Sequence, residues 1–229
     1  MVVVKDRGVE VELSSLATPQ RSEPEPVLSS WYERRGKRML DVVGALVLLV
    51  TFLPVFGVVA LVVRFALGPG SVVFRQERVG QDGRTFTILK FRSMLADRRI
   101  SNEEYAGPNR RRNHKTSHDP RHRPVGRFLR STSIDELPQL VNVLRGEMSL
   151  VGPRPELLSI VTAKQLTDHP RHLARPGITG PFQVSPLRRF GQLQLGFDMD
   201  VEYVSSIHFR GDCAYLLKTI ATPFSRRGT

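Results

Sequence analysis

The sequence has only one cysteine, Cys213, among its 229 residues. A single cysteine excludes a disulfide framework within the chain and is typical of a protein from a reducing compartment. Acidic residues are scarce relative to basic ones: 22 Asp and Glu face 34 Lys and Arg, which leaves a formal net charge of +12. An excess of this size indicates an anionic partner, which could be a nucleic acid, an acidic membrane surface or a phosphorylated substrate.

Several familiar signals are missing as well. There is no internal repeat, no glycine-rich nucleotide-binding fingerprint, and no basic helix with interleaved aromatic residues of the kind that binds nucleic acids. Residues 1–33 are predicted to form a disordered tail, because acids, serines and prolines stand where a signal peptide would be apolar. His114, His118 and His122 recur every four residues, but Pro120 interrupts any helix through them. We therefore expect exposed loop histidines there and no zinc site.

The longest apolar segment, residues 42–63, runs for 22 residues without a charge. About 20 apolar residues are enough to cross a bilayer as a helix, so residues 34–68 are predicted to be a membrane helix. Pro54, near the middle, removes a helical hydrogen bond and predicts a bend. Basic residues flank the segment on both sides, and such flanks prefer the cytoplasm. This symmetry favours a re-entrant hairpin over a spanning helix, which remains the alternative.

The residues just before this segment predict how it meets the membrane surface. Trp31 and Tyr32 are typical interfacial aromatics, and the basic residues that follow them suit anionic headgroups. Asp41 lies at the edge of the apolar run, where an ionisable group normally needs a partner. Lys37, one helical turn earlier, is the predicted partner.

Residues 69–222 are predicted to form a small cytosolic domain, followed by a C-terminal tail at 223–229. An Asp-Gly pair at residues 82–83, between two β-prone segments, predicts a β-hairpin. Helical periodicity begins again near residue 137 and near Glu156, and residues 198–220 predict an amphipathic helix broken near Gly211. The expected fold class is therefore α+β and mostly helical, with a short β-hairpin and amphipathic helices at the membrane interface.

Asp135 and Glu136 are adjacent acids in a hydroxyl-rich segment that is otherwise dominated by arginine. One interpretation is structural: Ser133 and Glu136 have the spacing of a capping box at a helix start. The other is catalytic, because a carboxylate among cations can react with a phosphate that those cations hold. The segment alone favours capping, since helix caps are far commoner than active sites.

The cations around this pair include candidate phosphate ligands, since the planar fork of arginine suits bidentate binding of phosphate. Arg154 is notable because Pro153 and Pro155 restrict the backbone on both sides of it. The other candidates for binding the phosphorylated substrate are Lys90, Arg92, Arg121 and Arg130.

Five motifs carry a resemblance to a known family. They are KRMLD at 37–41, KFRSM at 90–94, DELPQ at 135–139, VGPRP at 151–155 and PGITG at 176–180. Over residues 34–220 the chain resembles the bacterial sugar transferases known as monotopic polyprenyl-phosphate phosphoglycosyl transferases. Five motifs in the same order make the resemblance specific.

The resemblance implies an enzyme of the bacterial inner membrane that faces the cytoplasm and begins polysaccharide or glycoconjugate assembly. It would move a sugar-1-phosphate from a UDP-sugar to undecaprenyl phosphate and release UMP. Asp135 would be the nucleophile that forms a phosphosugar-aspartate. Glu136 would assist as a ligand of Mg²⁺ or as a base, and Arg154 would contact phosphate. Hard oxygen ligands suit Mg²⁺. The alternatives are a non-catalytic basic protein of the membrane surface and, from charge alone, a nucleic-acid-binding protein.

Overall fold

The computed structural model describes residues 31–95, 123–185 and 193–221. The described part is mostly helical, as predicted, and it contains two small two-stranded sheets, of which only the hairpin was predicted. The helices are α1 Lys37–Ala66, α2 Pro124–Ser131, α3 Gln139–Arg145, α4 Leu158–Ala163, α5 Pro181–Val184, α6 Leu193–Ser205 and α7 Phe209–Ala221. The strands are β1 Val73–Val79, β2 Thr85–Phe91, β3 Ser149–Val151 and β4 Gly177–Thr179.

The apolar segment forms one long helix. A short π-helical turn at Tyr32–Gly36 leads directly into α1, and helical structure continues through Pro54 to Ala66. Helical structure is therefore unbroken at Pro54, and a re-entrant bend within this single helix stays a prediction. By length and apolar composition, Tyr32–Ala66 is the one helix in the described residues that could cross a membrane.

One face of α1 is apolar and exposed along the whole helix. It comprises Met39, Val43, Leu46, Val47, Val50, Leu53, Val58, Leu61 and Phe65. A contiguous apolar face of this length marks a surface that another apolar phase or partner covers.

The opposite face of α1 packs on the domain at both ends. Ala45, in the first half, is fully buried in a cluster with Ile88, Leu140, Val143, Met148 and Leu150. Val59, Val63 and Leu67, in the second half, pack with Phe91 and Leu129. Strand β2 supplies Ile88 to the first cluster and Phe91 to the second. Both ends of α1 thus contact one folded unit.

Polar contacts fix the N-terminal end of α1. Lys37 Nζ donates to Asp212 Oδ2 at 2.7 Å, to the Tyr203 hydroxyl at 2.8 Å and to a backbone carbonyl of β3 at 2.9 Å. Asp41 Oδ1 instead accepts from the backbone N–H of Leu150 at 2.8 Å and from the Ser149 hydroxyl. The predicted partner Lys37 thus interacts with Asp41 through its charge alone and makes its hydrogen bonds elsewhere. Each charge reaches a partner in a distant segment, because both side chains are buried against the domain.

The predicted β-hairpin is confirmed. Strands β1 and β2 pair antiparallel, with Val73 opposite Phe91 and Val79 opposite Thr85. Asp82, in the turn, has a φ of 54°, a left-handed conformation that Asp tolerates better than most residues.

The loop after β3 depends on close backbone packing against β4. These two strands pair in parallel, with Ser149 opposite Gly177 and Val151 opposite Thr179. A Cβ atom on Gly152 would lie 2.4 Å from the carbonyl oxygen of Arg175, so only glycine allows this approach. The contact holds the start of the Pro153–Arg154–Pro155 turn in place. The C-terminal helical segment breaks at residues 206–208, slightly before the predicted break at Gly211.

Candidate active site

The acid pair lies in a single 3-10 turn, Ile134–Glu136, between α2 and α3. Ser133 precedes the turn with a φ of 59° and makes no side-chain cap hydrogen bond. The predicted capping box between Ser133 and Glu136 is therefore wrong. A non-glycine residue in this conformation costs on the order of 1 kcal/mol or more and persists only when its surroundings enforce it. The strained residue sits two positions before Asp135.

Asp135 is buried, with 7% of its surface exposed. Burial raises the pKa of its carboxyl to about 7, and the neighbouring Glu136 carboxylate adds to the rise. Lys90 and Arg130 act in the opposite direction, by favouring the charged form. A carboxyl whose environment shifts its pKa toward neutrality, next to an open cleft, has the properties of a functional group.

Glu136 is paired with Lys90 across the fold. Lys90 Nζ lies 2.7 Å from Glu136 Oε1, and each side chain is about one fifth exposed. Lys90 reaches this position from β2, while Glu136 comes from the turn before α3. The ion pair is accessible to a ligand, so an entering anion can bind Lys90 and an entering cation can bind Glu136.

An open cleft lies beside this pair. Its lining residues are Arg78, Ile88, Lys90, Glu136, Gln139, Arg154, Pro155, Gly177, Ile178 and Gln183. Three of these carry a positive charge and one carries a negative charge. Asp135, which directly precedes Glu136 in the chain, is not a lining residue.

Arg78 and Arg154 supply two of the positive charges of the cleft. Burial lowers the pKa of Arg78 to about 10, and the positive charge of Arg154 contributes to that shift. Arg78 donates to the Pro155 carbonyl at 3.2 Å and to Gln76 Oε1 at 2.7 Å. Two cations that repel each other in a partly buried site are both stabilised when an anion binds between them.

The predicted substrate-binding residues divide into groups. Lys90 and Arg154 line the cleft, and Arg130 lies near enough to Asp135 to influence its charge. Arg92 is buried, and its Nη1 and Nη2 donate to the carbonyls of Pro69 and Gly68, at 2.7 and 2.6 Å. It thus holds the chain just after α1. Arg121 lies outside the described residues, as do the three histidines of the predicted exposed loop.

Arg78, Gln139 and Gln183 line the cleft but were not predicted as site residues. A signal for Arg78 exists in the hairpin. In the antiparallel register Arg78 pairs with Phe86, and alternate positions from Phe86 along β2 lead through Ile88 to Lys90. Side chains two residues apart share one face of a sheet, so Arg78 and Lys90 must face the same side. The two glutamines have no comparable signal.

The fold and the cleft define a domain that carries an exposed apolar helix and a cleft lined by three positive charges and one negative charge. The chain belongs to the bacterial sugar transferase family, whose sequence profile matches residues 32–226. This confirms the family that the five motifs indicate.

Curated relatives cover most of the chain. The UDP-galactose-lipid carrier transferase of Erwinia amylovora is 39% identical over 202 residues, 84% of this chain and 41% of that protein. The UDP-glucose:undecaprenyl-phosphate glucose-1-phosphate transferase of Escherichia coli (strain K12) is 39% identical over 186 residues, 76% of this chain and 37% of that protein. Exopolysaccharide production protein ExoY of Rhizobium meliloti (strain 1021) is 36% identical over 206 residues, 85% of this chain and 88% of that protein. The chain thus spans about two fifths of the first two relatives and most of the third.

Proposed function

We propose that this protein is a phosphoglycosyl transferase that moves a sugar-1-phosphate from a UDP-sugar to undecaprenyl phosphate and releases UMP. One observation carries the proposal: Glu136 lines a cleft in which Arg78, Lys90 and Arg154 supply positive charge, and the buried Asp135 directly precedes it in the same turn. The names of the relatives, a UDP-galactose-lipid carrier transferase and a glucose-1-phosphate transferase that acts on undecaprenyl phosphate, support the substrate class.

The reaction proceeds in two displacements at one phosphorus atom. A carboxylate oxygen of Asp135 attacks the sugar-bound phosphorus, the bond from that phosphorus to the bridging oxygen of UMP breaks, and UMP leaves. A phosphate oxygen of undecaprenyl phosphate then attacks the same phosphorus, and the bond to Asp135 breaks to restore the carboxylate. Each step brings anions together, so the cations of the cleft must offset the repulsion.

The acid pair fits Mg²⁺ as a cofactor. The described residues hold no cluster of three or more acidic, histidine or cysteine side chains that could bind a metal alone. Mg²⁺ commonly uses one or two carboxylates together with substrate phosphates, and Asp135 and Glu136 beside an open cleft match that donor set. Glu136 would hold the ion, which would neutralise charge on the phosphates when bound.

We propose that α1 enters and leaves the same face of the bacterial inner membrane, with the domain in the cytoplasm. As a straight helix, the 30 residues of α1 would measure about 45 Å, which is long enough to span the hydrocarbon core of about 30 Å. A spanning orientation would separate the two ends of α1, yet Lys37 and Leu67 are both buried against one folded unit. The exposed apolar face of α1 then lies in the lipid, beside the exposed Phe209, Leu217 and Ile220 of α7.

The activity is tested with purified protein, Mg²⁺, undecaprenyl phosphate and a panel of UDP-sugars. We expect UMP release with at least one sugar and, without the lipid acceptor, a sugar-phosphate adduct in the intact mass. Asp135→Asn should abolish the adduct and turnover while membrane association persists. Turnover near the wild-type rate in Asp135→Asn would refute the assignment of the nucleophile. No UMP release with any UDP-sugar would instead favour a non-catalytic protein of the membrane surface.

The topology has a separate test. In a Cys213→Ala background, single cysteines at Trp31 and Ser71 flank the membrane helix. A re-entrant α1 leaves both positions accessible to an impermeant thiol reagent from the cytoplasmic side only. Labelling of the two cysteines from opposite sides would establish a spanning helix.

A further inference from the structure

A fully buried ion pair lies behind the cleft. Arg171 belongs to the short 3-10 turn Pro170–Leu173, and Asp200 lies on α6. Arg171 Nη2 is 2.6 Å from Asp200 Oδ2, and each side chain is only 1% exposed. The guanidinium also stacks over the Phe197 ring, 4.5 Å from its centroid. Neither charged residue lines the cleft.

Such a pair is expensive to bury. Nε and Nη1 of Arg171 and Oδ1 of Asp200 are buried without a hydrogen-bond partner in the described part of the chain. Burial raises the pKa of Asp200 to about 6, although Arg171 and the backbone of Arg154 oppose the rise. Apolar residues of similar volume often give equal or greater stability than a buried ion pair. Stability alone therefore gives little reason for these charges.

The pair has a contact that apolar residues could not make. The same Nη2 atom of Arg171 donates to the backbone carbonyl of Arg154 at 2.7 Å. Arg154 stands between two buried prolines, and its own side chain is about one third exposed where it lines the cleft. Arg171 thus holds the backbone from which the Arg154 guanidinium extends, and Asp200 fixes the direction of Arg171.

We propose that Arg171 and Asp200 are positioning residues that set the backbone of Arg154 so that its guanidinium meets the phosphate of the donor substrate. This rests on the proposed function. Misplacement of a binding group by about 1 Å can reduce catalysis about 100-fold even when the change lies far from the reacting atoms. The Arg171–Asp200 pair, called the clamp from here on, would therefore act on catalysis through Arg154.

The test is a double-mutant cycle. Removal of one partner leaves an unpaired buried charge that can prevent folding, so both are replaced together, as Arg171→Met with Asp200→Leu. We expect this apolar variant to keep the melting temperature and membrane association of the wild type and to lose about 10- to 100-fold in kcat/KM for the UDP-sugar. In an Arg154→Ala background the same replacement should cause no further loss. An equal loss in both backgrounds would overturn the proposal.

Three further measurements complete the test. Asp198→Asn, an exposed carboxylate on the same helix, should leave kcat/KM unchanged, and an equal loss there would contradict a specific role for the pair. UDP affinity, measured by calorimetry, should show the same dependence on Arg154 without any turnover. This separates the two proposals: UDP binding that depends on the clamp, in a protein that releases no UMP, would refute the proposed function and leave the clamp supported. If the apolar pair fails to fold, the near-isosteric Asp200→Asn enters the cycle, and wild-type UDP affinity in folded Asp200→Asn would overturn the proposal.

Discussion

The buried carboxyl of Asp135 predicts that the folded protein loses stability as the pH rises. In the folded state its pKa is raised to about 7, whereas an unfolded aspartate titrates at about 3.9. Between these values the folded protein binds a proton that the unfolded chain does not bind. The free energy of unfolding therefore decreases from about pH 4 to about pH 7 and is then constant with respect to this group.

The magnitude follows from the two pKa values. Between the two pKa values, the free energy of unfolding falls by about 1.4 kcal/mol per pH unit. Over the difference of about 3 pK units the total loss is about 4 kcal/mol, which is fully present at pH 8. Asp135→Asn removes the titrating group and keeps its shape. Asp135→Asn should therefore recover about 4 kcal/mol at pH 8, which for a protein of this length raises the melting temperature by about 10 °C. Near pH 4 the same variant should gain almost nothing from this source.

The assay is thermal unfolding of wild type and Asp135→Asn, in one detergent, at several pH values between 4 and 8. The difference between the two proteins is the decisive quantity, because hydrogen-bonding differences of the amide add only a constant. Asp168→Asn replaces an exposed carboxylate and serves as the matched control for an Asp-to-Asn change. A pH-independent difference, or a wild type that gains stability relative to Asp135→Asn as the pH rises, would refute the reasoning about Asp135.

Two further substitutions test the cleft and the backbone that supports it. Arg78→Met removes a cleft cation, so we expect UDP affinity to fall about tenfold, since a charged hydrogen bond contributes about 1.5 kcal/mol or more; calorimetry in low salt measures this. Gly152→Ala places a Cβ atom 2.4 Å from a backbone oxygen of Arg175, so we expect a loss of roughly 2 kcal/mol in the free energy of unfolding and weaker UDP binding; denaturant unfolding measures the first effect.

Each of these substitutions has a matched control. Arg75→Met removes an exposed arginine of the same strand that does not line the cleft. An equal loss of UDP affinity in Arg75→Met would show that the effect of Arg78→Met comes from the change in net charge alone. Gly57→Ala adds a Cβ atom that meets nothing within 4 Å. It should leave stability unchanged or slightly higher, and a loss equal to that of Gly152→Ala would contradict the steric argument.

Local signals in the sequence are sufficient for parts of the fold and site. The Asp82–Gly83 turn predicts the hairpin, and its register then places Lys90 on the same face as Arg78. The long uncharged apolar run predicts the exposed helix α1. These predictions succeed because turn chemistry and side-chain periodicity operate over a few residues.

Partners that are distant in the chain could not be predicted in the same way. Lys37 has an acid one turn away, yet its ion pair is with Asp212, 175 residues later. Arg92 has the composition of a phosphate ligand, but its guanidinium holds the carbonyls of Gly68 and Pro69. In each case burial decides the partner, because a charge removed from water takes the nearest complementary group in space.

The sequence by itself determines the kind of chemistry: an acid pair among cations, an apolar helix with positive flanks, and five ordered motifs that place the chain in its family. Only the tertiary structure decides how these residues act together. It buries Asp135 and so raises the pKa of its carboxyl, and it pairs Lys90 with Glu136. It also places Arg171 where its guanidinium donates to the backbone carbonyl of Arg154. The physical reason is that charge interactions and desolvation depend on distance and burial in three dimensions, which residue type and spacing along the chain do not specify.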